Sequence, residues 1–440
     1  MSLSRRSFLL NAAAFALLRE GLATAAPGAE IFEDAQGWAA PFLLCRRLYL
    51  DICGRLPTPA EVARFTRAPA GDRVPKLVDA LLADGGYADY WSMRFCDILR
   101  VKSEFPINLW PNAVYVYHRR IRTAVAADEP WDAFARALLG GLGSNFRVPE
   151  ANFLRAASPR TPEGLSQAAS RTFLLEPTDR YARYFSRVAW KSTFEWKEEV
   201  VYLKDGPAGD TPQAFADLLA GPLRPRVLEA AVTRIHHWLF GAAPEPARRA
   251  EWANVFARGG LRLKPFLRHV FASPAYLAGP ITGGFPARRL DAEVLDDALS
   301  DLTGAPHNFK SIAPEPFTFL PKTRRAVAIE DGSITSPFLL LFGRPARDTG
   351  DLAERNNAIT AKQRLYLCNS GKLAAALREM IGRGAFRKLS RAEKIDNLYR
   401  RFLARPPTTD ELAILNGTDR VQMPDLAWLL LNSREFLYRL

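Results

Sequence analysis

Three stretches of the chain share one pattern of apolar and polar positions, and the pattern predicts a unit of three short helices. In the first stretch, Arg46 to Leu50 lies in an amphipathic segment, and a polar turn leads to Thr58 with Glu61 three positions later. A hydroxyl residue followed by Glu at this spacing is typical of a helix start, because each side chain caps a backbone amide of the other residue. The apolar residues from Lys76 to Leu82 predict a further helix that packs back on the first.

The same order of segments recurs in the middle and near the end of the chain. The middle stretch runs from His237 to Tyr276, and the last runs from Tyr399 to Phe436 with Arg405 and Glu411 in its turn. Helix, turn and helix is a common order in helical proteins, so chance similarity remains an alternative explanation. A repeated packing unit is more typical of a scaffold than of a catalytic centre.

These patterns predict a mainly α fold, multi-helical with repeated three-helix modules and a few short strands. Strands are expected at Glu198 to Leu203 and at Ala326 to Ile329, because both runs contain β-forming residues and lead to an Asp-Gly turn. The run from Phe338 to Phe342 indicates a buried element, and the pattern leaves its type open.

Length and charge limit the organisation and the partners of the protein. A chain of 440 residues predicts two or three domains, and we expect an N-terminal helical domain at residues 30–206 and a C-terminal helical domain at residues 212–440, joined at Pro207 to Thr211. The formal net charge of +13 suits nucleic acid, anionic lipid or acidic polysaccharide. Arginines spread along the whole chain also explain this charge without any polyanion.

Residues 1–25 are typical of a twin-arginine signal peptide. Arg5 and Arg6 precede an apolar stretch, and Ala23 to Ala25 gives a small-x-small cleavage pattern. This stretch is too short and too charged for a stable membrane span, and no other window is long enough for one. We therefore expect a periplasmic or extracellular protein, for which nucleic acid is an unsuitable partner.

The cysteines and the local motifs point away from resident cofactors. Cys45 and Cys53 lie eight positions apart, so on one helix they are about 12 Å apart along its axis, too far for a disulfide. A pairing with Cys96 and buried thiols both remain open, and Cys368 is the fourth cysteine. The chain contains no haem-attachment, zinc-binding, phosphate-binding or nucleophile-elbow motif, so we expect neither a cofactor nor a metal.

Two polar runs contain the candidate ligand-binding residues. Arginine side chains bind carboxylate or sulfate well, so a polar ligand site is one interpretation of these runs. Buried ion pairs that hold a loop against helices explain the same residues, and we favour this second interpretation. The six residues are Asn145, Asn152 and Arg155 in the first run and Arg344, Arg347 and Asp348 in the second.

Several motifs, in one order, resemble the planctomycete cytochrome-associated secreted proteins, a two-domain family of unknown function. The motifs are Arg47 to Asp51, Pro130 to Phe134, Gly143 to Phe146, Leu341 to Pro345 and Leu429 to Phe436. Many members carry a Cys-x-x-Cys-His run after the segment that matches Thr172 to Leu174, and this chain lacks that run, so it resembles a member without the haem motif. The resemblance implies an exported partner of a sulfatase or phosphatase-like type.

Together these observations favour an exported helical protein without a catalytic role, a scaffold or an accessory partner of an enzyme that acts on acidic polysaccharide. A periplasmic enzyme whose site consists of the polar Asn, Arg and Asp residues is one alternative. A degenerate electron-transfer protein is another.

Overall fold

The architecture is mainly α with a few short strands, which confirms the predicted fold class. It is taken from a computed structural model that describes residues 31–313, 318–417 and 421–440. The signal peptide predicted at residues 1–25 lies outside these described residues. Within the three ranges, every helix is too short or too polar to cross a bilayer.

The α-helices are numbered in chain order. The first eleven are α1 Pro41–Cys53, α2 Pro59–Arg67, α3 Ala70–Ala83, α4 Gly85–Ile98, α5 Pro111–Ala126, α6 Trp131–Leu139, α7 Ala151–Arg155, α8 Pro162–Leu174, α9 Pro212–Ala220, α10 Arg224–Phe240 and α11 Pro246–Arg258. The others are α12 Leu263–Phe271, α13 Pro274–Leu277, α14 Ala292–Thr303, α15 Pro337–Leu341, α16 Ala361–Asn369, α17 Gly371–Gly382, α18 Gly384–Lys388, α19 Arg391–Leu403, α20 Thr409–Asn416, α21 Met423–Leu431 and α22 Arg434–Leu437.

Five short strands in the described part of the chain form two small antiparallel sheets. The strands are β1 Gly143–Ser144, β2 Val188–Ser192, β3 Glu199–Leu203, β4 Arg288–Arg289 and β5 Tyr438–Arg439. The larger sheet has the order β1-β3-β2, and the smaller one pairs β4 with β5. The strand predicted at Glu198 to Leu203 is therefore confirmed as β3.

The chain divides into two compact units, and each unit is built from separated segments. The first contains the described residues of Met1–Asp79 with Phe271–Pro306 and Asn357–Leu440, and the second contains Ala80–Val270 with His307–Asn356. The predicted linker at residues 207–211 lies within the second unit. The division into domains at that linker remains a prediction.

The turn between α1 and α2 in the first unit has the form that the sequence pattern predicts. Gly54 ends α1 in the left-handed region with φ 60°, where a residue without Cβ is favoured. The Arg55 guanidinium then binds both carboxylate oxygens of Glu61, at 2.9 and 2.8 Å. Glu61 and Thr58 form a capping box at the start of α2. The two helices are therefore joined by side-chain bonds as well as by the chain.

The core of the first unit also contains two buried arginines from α1. Arg46 donates to the carbonyls of Phe402 and Phe436 at 3.1 and 2.7 Å. Arg47 donates to the carbonyl of Leu440 at 2.7 Å, and its guanidinium lies 3.4 Å from the ring centroid of Phe285. Burial lowers the pKa of Arg46 to about 10 and that of Arg47 to about 9. These arginines hold helix ends and the C-terminal residues through backbone carbonyls.

The middle stretch has the predicted order of helices without the arginine turn. α10 ends at Gly241, and α11, α12 and the short α13 follow. In the second unit, Trp252 of α11 packs edge-on against Phe266 of α12 with centroids 5.8 Å apart. His236 stacks on Phe240 at 4.6 Å, so this histidine belongs to the core.

One predicted strand is wrong, and one open element is now assigned. Ala326–Ala328 forms a single 3-10 turn instead of a strand. This turn packs against α4, and Ala326 and Val327 are buried there. So short an apolar run can be buried without pairing to a neighbouring strand. The Phe338 to Phe342 run forms the helix α15, which the Ser336 hydroxyl caps.

The cysteine alternatives are also decided. Cys45, Cys53 and Cys96 are buried thiols, and Cys368 is an exposed thiol. Burial raises the pKa of Cys45 and Cys96 to about 12, so these two thiols are poor nucleophiles at neutral pH.

Candidate functional site

A loop between α4 and α5 in the second unit forms the centre of the candidate site. This loop, residues 99–110, has three residues in the left-handed region of φ that are not glycine: Arg100, Asn108 and Trp110, at 57°, 57° and 73°. Side chains with a Cβ adopt this region at a cost in energy, so contacts elsewhere must hold the loop in place.

The first polar run from the sequence supplies some of these contacts. Arg155 at the end of α7 donates to the carbonyl oxygens of Ile107 and Asn108, at 3.3 and 2.8 Å, and it pairs with Glu199 of β3. Burial lowers the pKa of Arg155 to about 10, and the neighbouring Arg160 contributes to this shift. The guanidinium therefore ties the 99–110 loop to the edge of the hairpin.

The two asparagines of this run hold the same corner of the molecule. Asn152 donates through Nδ2 to the carbonyl of Asn145 at 2.7 Å. Asn145 accepts through Oδ1 from the amide of Glu199 at 2.9 Å and donates its own amide to the Glu199 carbonyl at 2.9 Å. Both asparagines are fully buried, so they act as packing elements of the β1 region.

The second polar run reaches the same loop through different contacts. Arg347 binds Asp97 at 2.9 Å and also donates to the carbonyl of Val101 at 3.5 Å. Asp348 forms an ion pair of 2.5 Å with Lys102. Arg347 is completely buried, whereas Asp348 is half-buried.

Arg344 acts on the loop through a neighbouring turn. Its guanidinium donates to the carbonyls of Asp331 and Ile334. The Asp331 carboxylate in turn accepts the backbone amides of Ser103 and Ser333, at 2.9 and 2.8 Å. All six sequence-predicted residues therefore make contacts that hold the 99–110 loop and the adjoining strands. A ligand-binding role for them remains a prediction.

The 99–110 loop ends at a pair of tryptophans that the sequence did not predict, one half-buried (Trp110) and one exposed (Trp196). Trp110 lies at the end of the 99–110 loop, and Trp196 lies in the turn between β2 and β3. Their ring centroids are 4.5 Å apart at an interplanar angle of 72°. Lys197 places its Nζ 6.0 Å from the centroid of Trp110 and 5.6 Å from that of Trp196.

Further aromatic side chains on the same two segments are exposed. Phe105 of the loop is 79% exposed, Trp196 is 60% exposed, and Phe194 of the hairpin turn is fully exposed. We call Phe105, Trp110, Phe194 and Trp196 the aromatic surface. The signal that could have found it is the Phe-x-Trp spacing in a polar turn between two strands.

The hairpin turn that carries Phe194 and Trp196 is itself held by a buried carboxylate. Glu198 accepts hydrogen bonds from the hydroxyls of Ser144 and Thr193, which lower its pKa. Arg147 lies 3.2 Å from Glu195 and 3.6 Å from Glu198. The exposed rings are thus presented by an ordered turn.

One carboxyl group of the loop has an unusual pKa. Burial raises the pKa of Glu104, the nearby Asp331 adds to this effect, and Lys102 opposes it. A carboxyl group with a raised pKa is a feature that general acids share with strained structural carboxylates. Glu104 was not among the sequence-predicted residues.

Comparison with known proteins finds two family models that each match part of this chain. Residues 34–190 match the family model PSCyt2, a protein of unknown function (DUF1549). Residues 280–418 match the family model PSD1, a protein of unknown function (DUF1553). No curated protein and no solved structure matches the chain. The two matches support the resemblance to a two-domain family, and the two polar runs fall in different matches.

Proposed function

We propose that this chain, with its matches to two families of unknown function, is an exported accessory protein without a catalytic role that binds acidic polysaccharide through the aromatic surface. The observation that carries the proposal is the contact between the half-buried Trp110 and the exposed Trp196, with the Lys197 ammonium over both rings. Exposed aromatic groups of this kind are typical of binding surfaces.

The chemistry of this surface suits a charged sugar polymer. The face of an aromatic ring carries negative electrostatic potential, so it attracts the electropositive C–H groups on one side of a sugar ring. Lys197 and the exposed Arg147 can pair with carboxylate or sulfate groups of the same polymer. Removal of residues 1–25 takes away Arg5, Arg6, Arg19 and Glu20, so the formal net charge falls from +13 to +11, and this positive charge attracts such a polyanion over longer distances.

The polar network supports a binding role rather than a catalytic one. Arg155 donates to two loop carbonyls and pairs with Glu199, Asn152 donates to the Asn145 carbonyl, and Asn145 Oδ1 accepts the Glu199 amide. Arg347 and Arg344 do the same for the other side of the network, toward Asp97 and backbone carbonyls. In this proposal the network holds the aromatic surface in its binding conformation in advance, which lowers the entropy lost on binding.

Export and partnership complete the proposal. In this proposal the twin-arginine pattern at residues 1–25 directs the protein to the periplasm or outside the cell. The planctomycete family resemblance adds an exported sulfatase or phosphatase-like enzyme as the partner, with this chain as its polysaccharide-binding companion.

Affinity electrophoresis tests the proposal with two acidic polymers and a neutral one. Carrageenan carries sulfate groups, polygalacturonate carries carboxylates, and hydroxyethyl cellulose carries neither. We expect at least one acidic polymer to retard the protein and the neutral polymer to have little effect. The Trp110→Ala and Trp196→Ala variants should lose most of the retardation. Trp38→Ala is the matched control, because Trp38 is also a partly exposed tryptophan and lies in the first unit.

Two outcomes would overturn the proposal. If an acidic polymer retards both Trp variants as much as the unsubstituted protein, the aromatic surface does not bind the polymer. Absence of retardation by every polymer, together with capture of a protein from the periplasm of the host that depends on Trp110 and Trp196, would assign this surface to a protein partner instead.

A further inference from the structure

A cavity in the second unit lies among α4, α5, α6, α10 and α11, and it shares no residue with the aromatic surface. Its volume is about 50 Å³. A single buried water needs roughly 10 to 15 Å³, so the cavity has room for several waters. Most of its lining is apolar.

Aromatic rings form one wall of this cavity. Phe95 of α4 lies 5.6 Å from Trp131 of α6 and 5.5 Å from Trp238 of α10, measured between ring centroids. The Phe95 and Trp238 rings meet edge to face at 86°. Phe134 continues the wall at 5.9 Å from Trp131. A flat apolar group would meet ring faces and ring edges in this cavity.

Arg234 of α10 also lines the cavity, and its charge has no acidic partner among the residues that the structure describes. The side chain is only 2% exposed, and its Nη2 donates to the carbonyls of Thr172 and Arg171 at 2.6 and 3.2 Å. No carboxylate in residues 31–313, 318–417 or 421–440 forms an ion pair with it, and its Nε has no acceptor there. Burial lowers its pKa to about 10, so Arg234 remains charged at neutral pH.

A second buried donor on the cavity wall lacks an acceptor as well. The indole Nε1 of Trp131 is buried and finds no hydrogen-bond acceptor in the described part of the chain. The two acidic residues of the lining are engaged elsewhere. Asp128 accepts the amide of Lys264 at 2.9 Å, and Glu129 pairs with Arg120 at 2.7 Å.

We propose that this cavity binds a small aromatic monocarboxylate, with its carboxylate paired to Arg234 and its ring packed among Phe95, Trp131 and Trp238. Buried charges and buried donors are almost always satisfied in folded proteins. Within the described residues, this cavity holds a guanidinium without a carboxylate and an indole N–H without an acceptor, and together they point to an anionic ligand. The aromatic wall selects a flat ring over a bare inorganic anion. This assignment is independent of the polysaccharide role.

Benzoate is the probe for this proposal, and benzamide is its neutral counterpart of the same shape. Titration calorimetry and tryptophan fluorescence of the full exported chain should show saturable benzoate binding with a Kd between about 10 µM and 1 mM. Benzamide should bind about 10- to 100-fold more weakly, because it cannot form the charge-assisted bonds to Arg234.

Three variants locate the binding in the cavity. Arg234→Gln should weaken benzoate binding by about 10- to 100-fold while it changes benzamide binding little. Arg226→Gln is the matched control, because Arg226 lies on the same helix with an exposed side chain that pairs with Glu176. Ala231→Leu places a larger side chain on the lining and should block both ligands, even if Arg234→Gln fails to fold.

Equal affinity for benzoate and benzamide, or benzoate binding that Ala231→Leu leaves unchanged, would overturn the proposal. No saturable binding of benzoate up to about 10 mM would overturn it as well.

Discussion

The Arg405 guanidinium holds the Glu411 carboxylate with two parallel hydrogen bonds of 2.8 and 2.9 Å. Arg55 holds Glu61 in the same way in the first copy of the repeat, at 2.9 and 2.8 Å. In each copy the arginine also lies over a tyrosine ring, Tyr49 or Tyr399, and a threonine caps the following helix. The two turns are therefore one structural device used twice within the first unit.

The two copies differ in how deeply the arginine is buried, and the difference predicts unequal effects of mutation. Arg405 also binds Glu435 at 2.7 Å and is nearly inaccessible, whereas Arg55 is partly exposed. Arg405→Met should lower the free energy of unfolding by about 3 to 5 kcal/mol, because it leaves two carboxylates in the interior without their partner. Arg55→Met should cost about 1 kcal/mol. Urea unfolding of both variants measures the difference, and equal losses would contradict the prediction.

The dependence of stability on pH in the acid range should reflect the ionisation of Glu61. Burial opposes ionisation of this carboxyl group, but the bonds from Arg55 and Thr58 outweigh burial and lower its pKa to about 2. A pKa that is lower in the folded state than in the unfolded state stabilises the fold, and the full effect is present at pH values above the unfolded pKa of about 4.3. This stabilisation is lost as the pH falls toward about 2. Glu61→Gln should therefore be less stable than the unsubstituted protein at pH 7, and the gap should narrow in acid. A gap that does not depend on pH would show that ionisation of Glu61 is not involved.

The ionisation of Glu104 should affect stability in the opposite direction to that of Glu61. Burial and Asp331 raise its pKa, so the folded state binds this proton more tightly than the unfolded state does. The charged form is then unfavourable, and stability falls as pH rises above about 4.3. Glu104→Gln should raise the free energy of unfolding at pH 7 and have little effect near pH 4. Thermal unfolding of the variant and of the unsubstituted protein at pH 4 and pH 7 tests this prediction. A Glu104→Gln variant that is less stable than the unsubstituted protein at pH 7 would contradict it.

Arg155 should influence polysaccharide binding from beneath the aromatic surface. Arg155→Met removes the bonds to the carbonyls of Ile107 and Asn108, so Trp110 loses the support that holds its loop. We expect retardation by the acidic polymer to fall several-fold while Trp110 itself remains present. Intrinsic fluorescence should report greater exposure of tryptophan. Arg183→Gln provides a control with an exposed arginine. If the acidic polymer retards Arg155→Met as much as the unsubstituted protein, the bonds of Arg155 do not contribute to polysaccharide binding.

Export should depend on the paired arginines at the N-terminus. Replacement of both Arg5 and Arg6 by Lys should retain the protein in the cytoplasm with residues 1–25 still attached, because the transport receptor recognises the arginine pair. Fractionation of the host cells and the intact mass of the purified protein test this together. Normal export of the double variant would argue for another route.

Several elements could be predicted because their causes are local. The spacing of Thr58 and Glu61, and of Thr408 and Glu411, predicted helix starts that the capping boxes confirm. The strand at Glu199–Leu203 also followed from its β-forming residues. The error at Ala326 to Ile329 has a different origin. A short apolar run is compatible with a strand or a buried turn, and its packing against α4 decided between them.

By itself the sequence determined the helical fold class, the positions of caps and turns, and the repeat of the arginine turn, because these depend on residues within a few positions of one another. Only the tertiary structure decided that Arg155 reaches Ile107 and Asn108, that Trp110 meets Trp196, and that Arg234 is buried without an ion pair to any described carboxylate. The physical reason is that these contacts join segments far apart in the chain, and they form only when helices and strands pack together.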